Sequence, residues 1–562
     1  MASLLERSRR LAGPYAAELR RRIDRRRAAA QLAARRVAGP SIDRIVVAPT
    51  DLRSGDSYIA DEIYAGRFPL AGRVQTTEGE SPFEATMPSP EFERQLHAFR
   101  WLRHLRAARH ELAASNARAL TEDWIRGFGR RAEGVAWDVD IVARRLIAWF
   151  SHSPVVLRDA DPAFYRRFLR SLVQQAGYLR QVAASAPDGE IRLRARIALA
   201  FASLVVPSSR KAMETAARQL DAELLRQIMP DGGHVSRSPQ AILDLLTDLL
   251  PLRQTYLNLG AGPPAQLVPA IDRMYPALRF FRHVDGELAL FNGTGITVAE
   301  RLAAVLRYDD TSGAPFRHMP HLKFQRLVAG ETTIIADTGP PPSPGLSASA
   351  HAGCLSFEMS SGQTRLIVNA GMPLLQREEF AGFARSTAAH STAVLNNTSS
   401  SRISRSRFLE PLMIGGVRDV MAKTEDGADG SRGFSATHDG YVEEYGLYHE
   451  RRMRVAADGH TVVGRDRFHR RDGLPPEPSQ AVEATVRFHL HPAVGVAVDT
   501  NGDLELVAPD GSRWTFLCLD VVPEIQDDIF FANLAGPCRS RQIALTFRPG
   551  ETPEIQWSLT RR

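Results

Sequence analysis

Cysteine is scarce. Three residues in 562, Cys354, Cys518 and Cys538, are too few for a disulfide framework and share no metal-ligand spacing. They suit a reducing compartment or simple burial. Long apolar runs are missing too: the longest, "IALAFASLVVP", is too short to span a bilayer. The N-terminus lacks the apolar stretch and small-residue cleavage site of a secretory signal, so the expected location is the cytoplasm. Net positive charge is absent from most of the chain despite a formal +7. The first 40 residues carry eleven arginines against Glu6, Glu18 and Asp24, a balance of +8, which leaves about −1 for the rest. No aromatic–basic interleaving or nucleic-acid motif accompanies those arginines, so no nucleic-acid partner is expected. A hydrophobic fraction of 44% with 24% charged residues remains that of a soluble globular chain.

Length alone predicts two domains or three. Residues 1–40 read as an arginine-rich helical arm, either a solvated helix or a contact for an anionic membrane surface. From about residue 90 to 310 apolar residues recur at helical spacing. In "FERQLHAFRWLRHLRAA", Phe92, Leu96, Phe99, Leu102 and Leu105 form one stripe, and "WDVDIVARRLIAWF" repeats it with Val139, Val142, Leu146 and Phe150. Asp161-Pro162 and Ser238-Pro239 supply helix starts. After about 320 the period becomes two, as in "RMRVAADGHTVVGRDRF" and "VEATVRFHLHP", punctuated by Asp-Gly, Asn-Gly and Ser-Gly turns. Helices followed by strands without alternation predict a multidomain α+β protein, its antiparallel sheets packed as a sandwich. A cleft between the two halves is the natural place for a site.

Several stretches then resemble one family, the heparinase II/III-like polysaccharide lyases. The helices "FERQLHAFRWLRHL" and "AWDVDIVARRLIAWF" are similar to its paired toroid helices. "DGGHVSRSP" resembles the loop opening its catalytic helix, and "HAGCLSFEMSSGQTRLIVNAG" its signature strand pair. "RSTAAHST" and "VRFHLHP" resemble the segments that follow. The resemblance implies an incomplete (α/α) toroid over residues 41–315 and an antiparallel β-sandwich over 316–562. It also implies β-elimination on a uronate-containing anionic polysaccharide or oligosaccharide. Such chemistry needs a proton-transfer group near C5 and O4, a neutraliser for the uronate carboxylate, and basic residues for an anionic chain.

The family's residues carry over in part. His351 falls at a usual catalytic histidine position, and His390 at a position that in the family often ligates zinc. The two other zinc positions hold Gly353 and Asn369, so no metal or other cofactor is expected. The family's tyrosine after Ser-Pro is missing, since "SPQAIL" has Ala241 and Ile242, and Glu190 and Arg192 lie near the usual asparagine–histidine pair. The resemblance therefore nominates His351, His234 and His390 as catalytic groups, with Arg237, Arg385, Asn292 and Asn369 as substrate-binding ones. The alternative is a catalytically impaired glycan-binding or interaction protein on the same fold. The family's usual envelope location stands as the alternative compartment, and the oligomeric state is left open.

Overall fold

The computed structural model describes residues 2–34, 43–311, 313–374, 378–406, 408–409, 411–478, 481–498 and 503–562. The helical half comprises α1 (Ala2–Ala34), α2 (Ser57–Tyr64), α3 (Pro90–Ala98), α4 (Leu102–Ala108), α5 (Glu111–Phe128) and α6 (Val139–Val156). It continues through α7 (Pro162–Val182), α8 (Glu190–Val205), α9 (Arg210–Gln227), α10 (Pro239–Asn258), α11 (Leu267–Phe280) and α12 (Ala299–Leu306). As the sequence predicts, α7 starts at Asp161-Pro162: the Asp161 carboxylate accepts from the amides of Ala163 and Phe164, and Pro162 gives up an amide that had no partner. α10 starts at Pro239 without a side-chain cap, Ser238 being merely extended. Aromatic residues are few but concentrated in the cores. Trp101, Trp124, Trp137 and Trp149 are fully buried in the toroid, as are Trp514 and Trp557 in the sandwich. Among the described residues no helix is long and apolar enough to cross a membrane.

Among the described residues the C-terminal half is two large antiparallel sheets, of eight and nine strands, and a separate two-stranded one, Ser401–Ile403 with Met413–Gly416. Strands Leu447–Val455 and Thr461–His469 alternate buried and open positions, as one-sided packing requires. The hairpin Phe357–Ser361/Thr364–Val368 is buried on both faces. One face meets the other sheet, where Phe357 stacks on Trp557 at 5.7 Å. The other is covered by the helical half. There His283 bonds Glu358 at 3.1 Å, and Arg365 pairs with Asp285 at 2.7 Å and Glu287 at 2.9 Å. The Arg326 guanidinium also donates to the Phe280 carbonyl at 2.6 Å. The fold is thus an α-helical toroid followed by an antiparallel β-sandwich.

The arginine arm departs from the freely solvated helix. Residues 35–42, at its end, lie outside the described residues, but α1 itself is docked. Tyr15 stacks on Phe408 at 5.4 Å and its hydroxyl meets Ser406 Oγ at 2.8 Å. Arg22 lies 4.1 Å over the same Phe408 ring, and Arg25 donates to Asp138 at 2.6 Å. Ala28 is buried. The helix therefore straps the sandwich loop around Phe408 to the start of α6. Arg20, Arg26 and Arg27 stay exposed on its outer side.

Candidate functional site

His351 and His390 do come together, though neither sits on a strand. His351 lies in the loop before the Phe357–Ser361 strand, and His390 follows the short turn Thr387–Ala389. Their rings form one hydrogen-bonded chain whose tautomers are fixed from its end. The Ser386 carbonyl can only accept, so His390 Nδ1–H donates to it at 2.7 Å. Burial lowers the His390 pKa to about 4, so the ring is neutral and its Nε2 is a bare acceptor. His351 Nδ1–H donates to that atom at 3.1 Å. His351 Nε2 in turn accepts the Gly293 amide at 3.0 Å, and burial holds this ring far below the usual histidine range. All four ring nitrogens thus have protein partners. The turn that supplies the Gly293 amide has Asn292 at φ +46° and Gly293 at φ +80°. A Cβ on Gly293 would stand 2.9 Å from Ser349 Cβ, so this close approach needs glycine.

The other nominated residues are engaged in the same way. His234 is fully buried; its Nε2 donates to Gln227 Oε1 at 2.9 Å and its Nδ1 meets Ser236 Oγ at 2.7 Å. Burial pushes its pKa down to about 3. Arg237 holds the helical half to the sandwich. It bonds the Leu322 carbonyl at 3.0 Å and the Pro340 carbonyl at 2.9 Å, and pairs with the Asp337 carboxylate. Arg385 donates to three carbonyls, Ala350 at 2.9 Å, Pro411 at 2.8 Å and Ser347 at 3.0 Å. Asn292 donates to the Arg237 carbonyl and accepts the His351 amide, both at 3.1 Å. The Asn369 side chain accepts the Ser391 amide at 3.0 Å, while its Nδ2 is buried without a partner. His234 and His351, both nominated as catalytic, would have to reach a common substrate. The structure instead gives each its own closed set of protein contacts, because both lie inside the packed core between the two halves.

The same geometry tests the family's zinc. A Cβ at Gly353 would sit 2.6 Å from His390 Cδ2, so the imidazole fills the space that a ligand side chain there would need. Asn369 is neutral, and both His390 nitrogens are taken. These donors do not fit a tetrahedral zinc site.

Open space and charge lie elsewhere. Of the basic residues all but Lys211, Lys323 and Lys423 are arginines, and many are enclosed with carboxylates, as the planar guanidinium fork favours. In the toroid Arg194 links Asp140 on α6 at 2.8 Å to Asp248 on α10 at 3.4 Å. Asp248 also binds Arg53 at 2.5 Å, and Arg53 pairs with Asp51 at 2.9 Å. Arg144 holds Asp140 at 2.8 Å, and Arg301 holds Asp244 at 2.7 Å. Burial alone would raise the pKa of Asp140, but Arg144 and Arg194 hold it well below the carboxylate range. For Glu190 the balance goes the other way, and burial wins over Arg194 to raise its pKa. Next to this network, under the arm, is a cavity of about 300 Å³ bordered by Arg21, Arg22, Arg94, Asp138, Asp140 and Leu409.

Sequence reading pointed to Glu190 and Arg192 at this place, but the buried guanidinium is Arg194. Arg192 turns back to the Ala186 carbonyl at 2.9 Å. The available signal was a charge four residues from its partner, as in Asp140/Arg144 and Glu190/Arg194, on helices whose other residues are mostly apolar.

Residues 311–558 match the heparinase II/III-like C-terminal family. The chain is 30% identical over 543 residues to FtsZ-localized protein C of Caulobacter vibrioides, covering 94% of this chain and 92% of that one. Among solved structures it superposes on heparinase III with a TM-score of 0.69 at 14% identity, over 95% of this chain and 89% of that chain. A mutant of the heparan sulfate lyase HepC from Pedobacter heparinus gives a TM-score of 0.61 at 17% identity, over 100% and 91%. At these identities the solved structures speak for the fold alone.

Proposed function

Because the chain belongs to the heparinase II/III-like family, together with FtsZ-localized protein C, we propose that it is a binding and interaction protein that keeps the lyase fold without lyase turnover. The observation that carries this reading is the closed histidine chain. An acid or base must reach the substrate proton with a free nitrogen or oxygen, and His351 and His390 have none. The residues nominated for substrate binding are likewise engaged, Arg237 and Arg385 on backbone carbonyls. In this reading the histidines and arginines hold the wall of the former cleft in place. The partner is an anionic glycan or a protein of the division site, the latter suggested by the relative's name. Its cytoplasmic location and a contact of the outer arginines of α1 with an anionic surface belong to the same proposal.

One observation favours turnover instead. Glu190 has a raised pKa beside Arg194, which is what a carboxyl proton donor needs. In that second reading the chain cleaves a uronate glycan by β-elimination. The deciding experiment mixes the full chain with heparan, alginate, hyaluronan, pectate and bacterial uronate polymers and follows ultraviolet absorbance from a C4–C5 double bond, with calorimetry on the same mixtures. Binding heat with a flat absorbance supports the binding protein; an absorbance rise with any polymer refutes it. A fluorescent fusion that fails to localise with FtsZ would remove the division-site part alone.

A further inference from the structure

The arm and the toroid face each other across an open groove. Its volume is about 690 Å³, within the range of ligand-binding clefts. Arg22, Arg25 and Arg26 of α1 line one side, and Arg130 and Arg131, in the turn after α5, line the other. The two sets are far apart in the sequence, and only docking of the arm brings them together. The turn is anchored from below. The Trp137 indole N–H donates to the Phe128 carbonyl at 2.9 Å, and the Trp137 ring is fully buried. Ala132, beside the two arginines, packs against the toroid core, as does Leu32 of α1. Both sides of the groove are therefore built on packed backbone.

The charges in the groove do not balance. Arg22 is paired with Glu18 at 2.8 Å and Arg25 with Asp138 at 2.6 Å. For Arg26, Arg130 and Arg131 no carboxylate of the described residues lies within ion-pair distance, although Glu133 lines the same groove. Three guanidinium groups thus stay open on one concavity, and such groups favour carboxylates and phosphates. Between them the lining is methyl groups, from Ala29, Ala30 and Ala33 on α1 and from Ala132. An apolar strip flanked by arginines suits a chain that carries both acidic and small apolar side chains. A uronate glycan would leave the alanine strip unused. A bilayer surface meets convex faces of a protein, not the inside of a groove.

We propose that this groove docks an acidic peptide segment of a protein partner, its carboxylates on Arg26, Arg130 and Arg131 and its backbone along the alanines. The groove lies further along α1 than the cavity bordered by Arg21 and Arg94. Docking is therefore independent of glycan binding or turnover in the former cleft.

Fluorescence anisotropy of the full chain with a dye-labelled peptide of alternating glutamate and alanine tests this. Binding should saturate and should weaken as salt rises. Arg130→Glu/Arg131→Glu, a change at two exposed positions, should weaken it about tenfold or more. Arg26→Glu should act in the same direction and serves if the double variant does not fold. Arg20→Glu/Arg27→Glu makes the same change of net charge outside the groove and should leave binding nearly unchanged. Absence of peptide binding overturns the proposal. An equal loss in the two double variants also overturns it, since the arm would then attract anions by net charge alone. Phosphatidylglycerol vesicles and heparan oligosaccharide are the competing occupants. If either binds in a way that Arg130→Glu/Arg131→Glu abolishes, and the peptide does not bind, the groove serves a membrane or a glycan and the proposal fails.

Discussion

Two buried clusters, the toroid's ion-pair network and the sandwich's histidine pair, solve burial of polar groups in opposite ways. The toroid cluster encloses full charges, with Arg194, Asp140, Asp248 and Arg53 in one network. The sandwich's histidine pair encloses neutral rings, with the proton positions of His351 and His390 fixed by a carbonyl at one end and an amide at the other. Charged networks tolerate no missing member, because each removal leaves a bare ion in a low dielectric. A neutral chain can lose a member at the cost of a hydrogen bond, but it fails when a proton is added. Mutation should therefore hurt the toroid network most, and acid should act through buried histidines.

The largest effect is expected from Asp248→Asn, which leaves Arg53 and Arg194 without their shared carboxylate. Denaturant unfolding should show a loss of about 3–5 kcal/mol. A loss under about 1 kcal/mol would mean that solvent already neutralises this network.

Acid comes next. His234 and His390 have folded pKa values near 3 and 4, below the ordinary 6.5. The unfolded chain therefore binds more protons than the folded one between those values and 6.5. The stabilisation is complete above the unfolded pKa and lost as pH falls. At pH 5 each histidine should have cost about 2 kcal/mol relative to neutral pH, read as a falling denaturation midpoint. The His234→Gln variant should show a shallower fall.

Gly353→Ala sharpens the same contrast on the neutral side. The added methyl meets the His390 ring at 2.6 Å, so the ring must shift and the chain to His351 must stretch. A loss of about 1–3 kcal/mol is expected. No loss would mean that the ring is freer than its two hydrogen bonds imply.

The arm should matter least to global stability. Phe408→Ala removes the ring under Tyr15 and Arg22 and should cost only about 0.5–1.5 kcal/mol. It should also speed tryptic cleavage at the arm's arginines, which mass spectrometry would detect.

Much of the fold was legible in the sequence because burial imposes its period on the chain: the helical stripes around Phe92 and Val142, and the alternation through Leu447–Val455. His351 and His390 stood out one by one through the resemblance, but nothing in the sequence said that their rings bond each other. What the sequence hid was where the nitrogens point. A ring that binds a carbonyl and a ring that awaits a substrate look alike as letters, and only Gly353, whose missing side chain makes room for His390, hints at the difference. The toroid network was hidden for another reason. Its members Arg53, Asp140, Arg194 and Asp248 are far apart along the chain, and a charge on a helix reads as solvent-facing until its neighbours are known. The docked arm, too, was invisible, since nothing in its arginines points to Phe408.

The most direct test of the closed histidine chain is nitrogen-15 NMR of the full chain labelled at histidine. His351 and His390 should be neutral with the proton on Nδ1 in both, unchanged from pH 7 down to pH 5 and unchanged by added uronate polymer. A ring that titrates near 6.5, or that moves its proton when a glycan is added, would contradict it and return these two residues to catalysis.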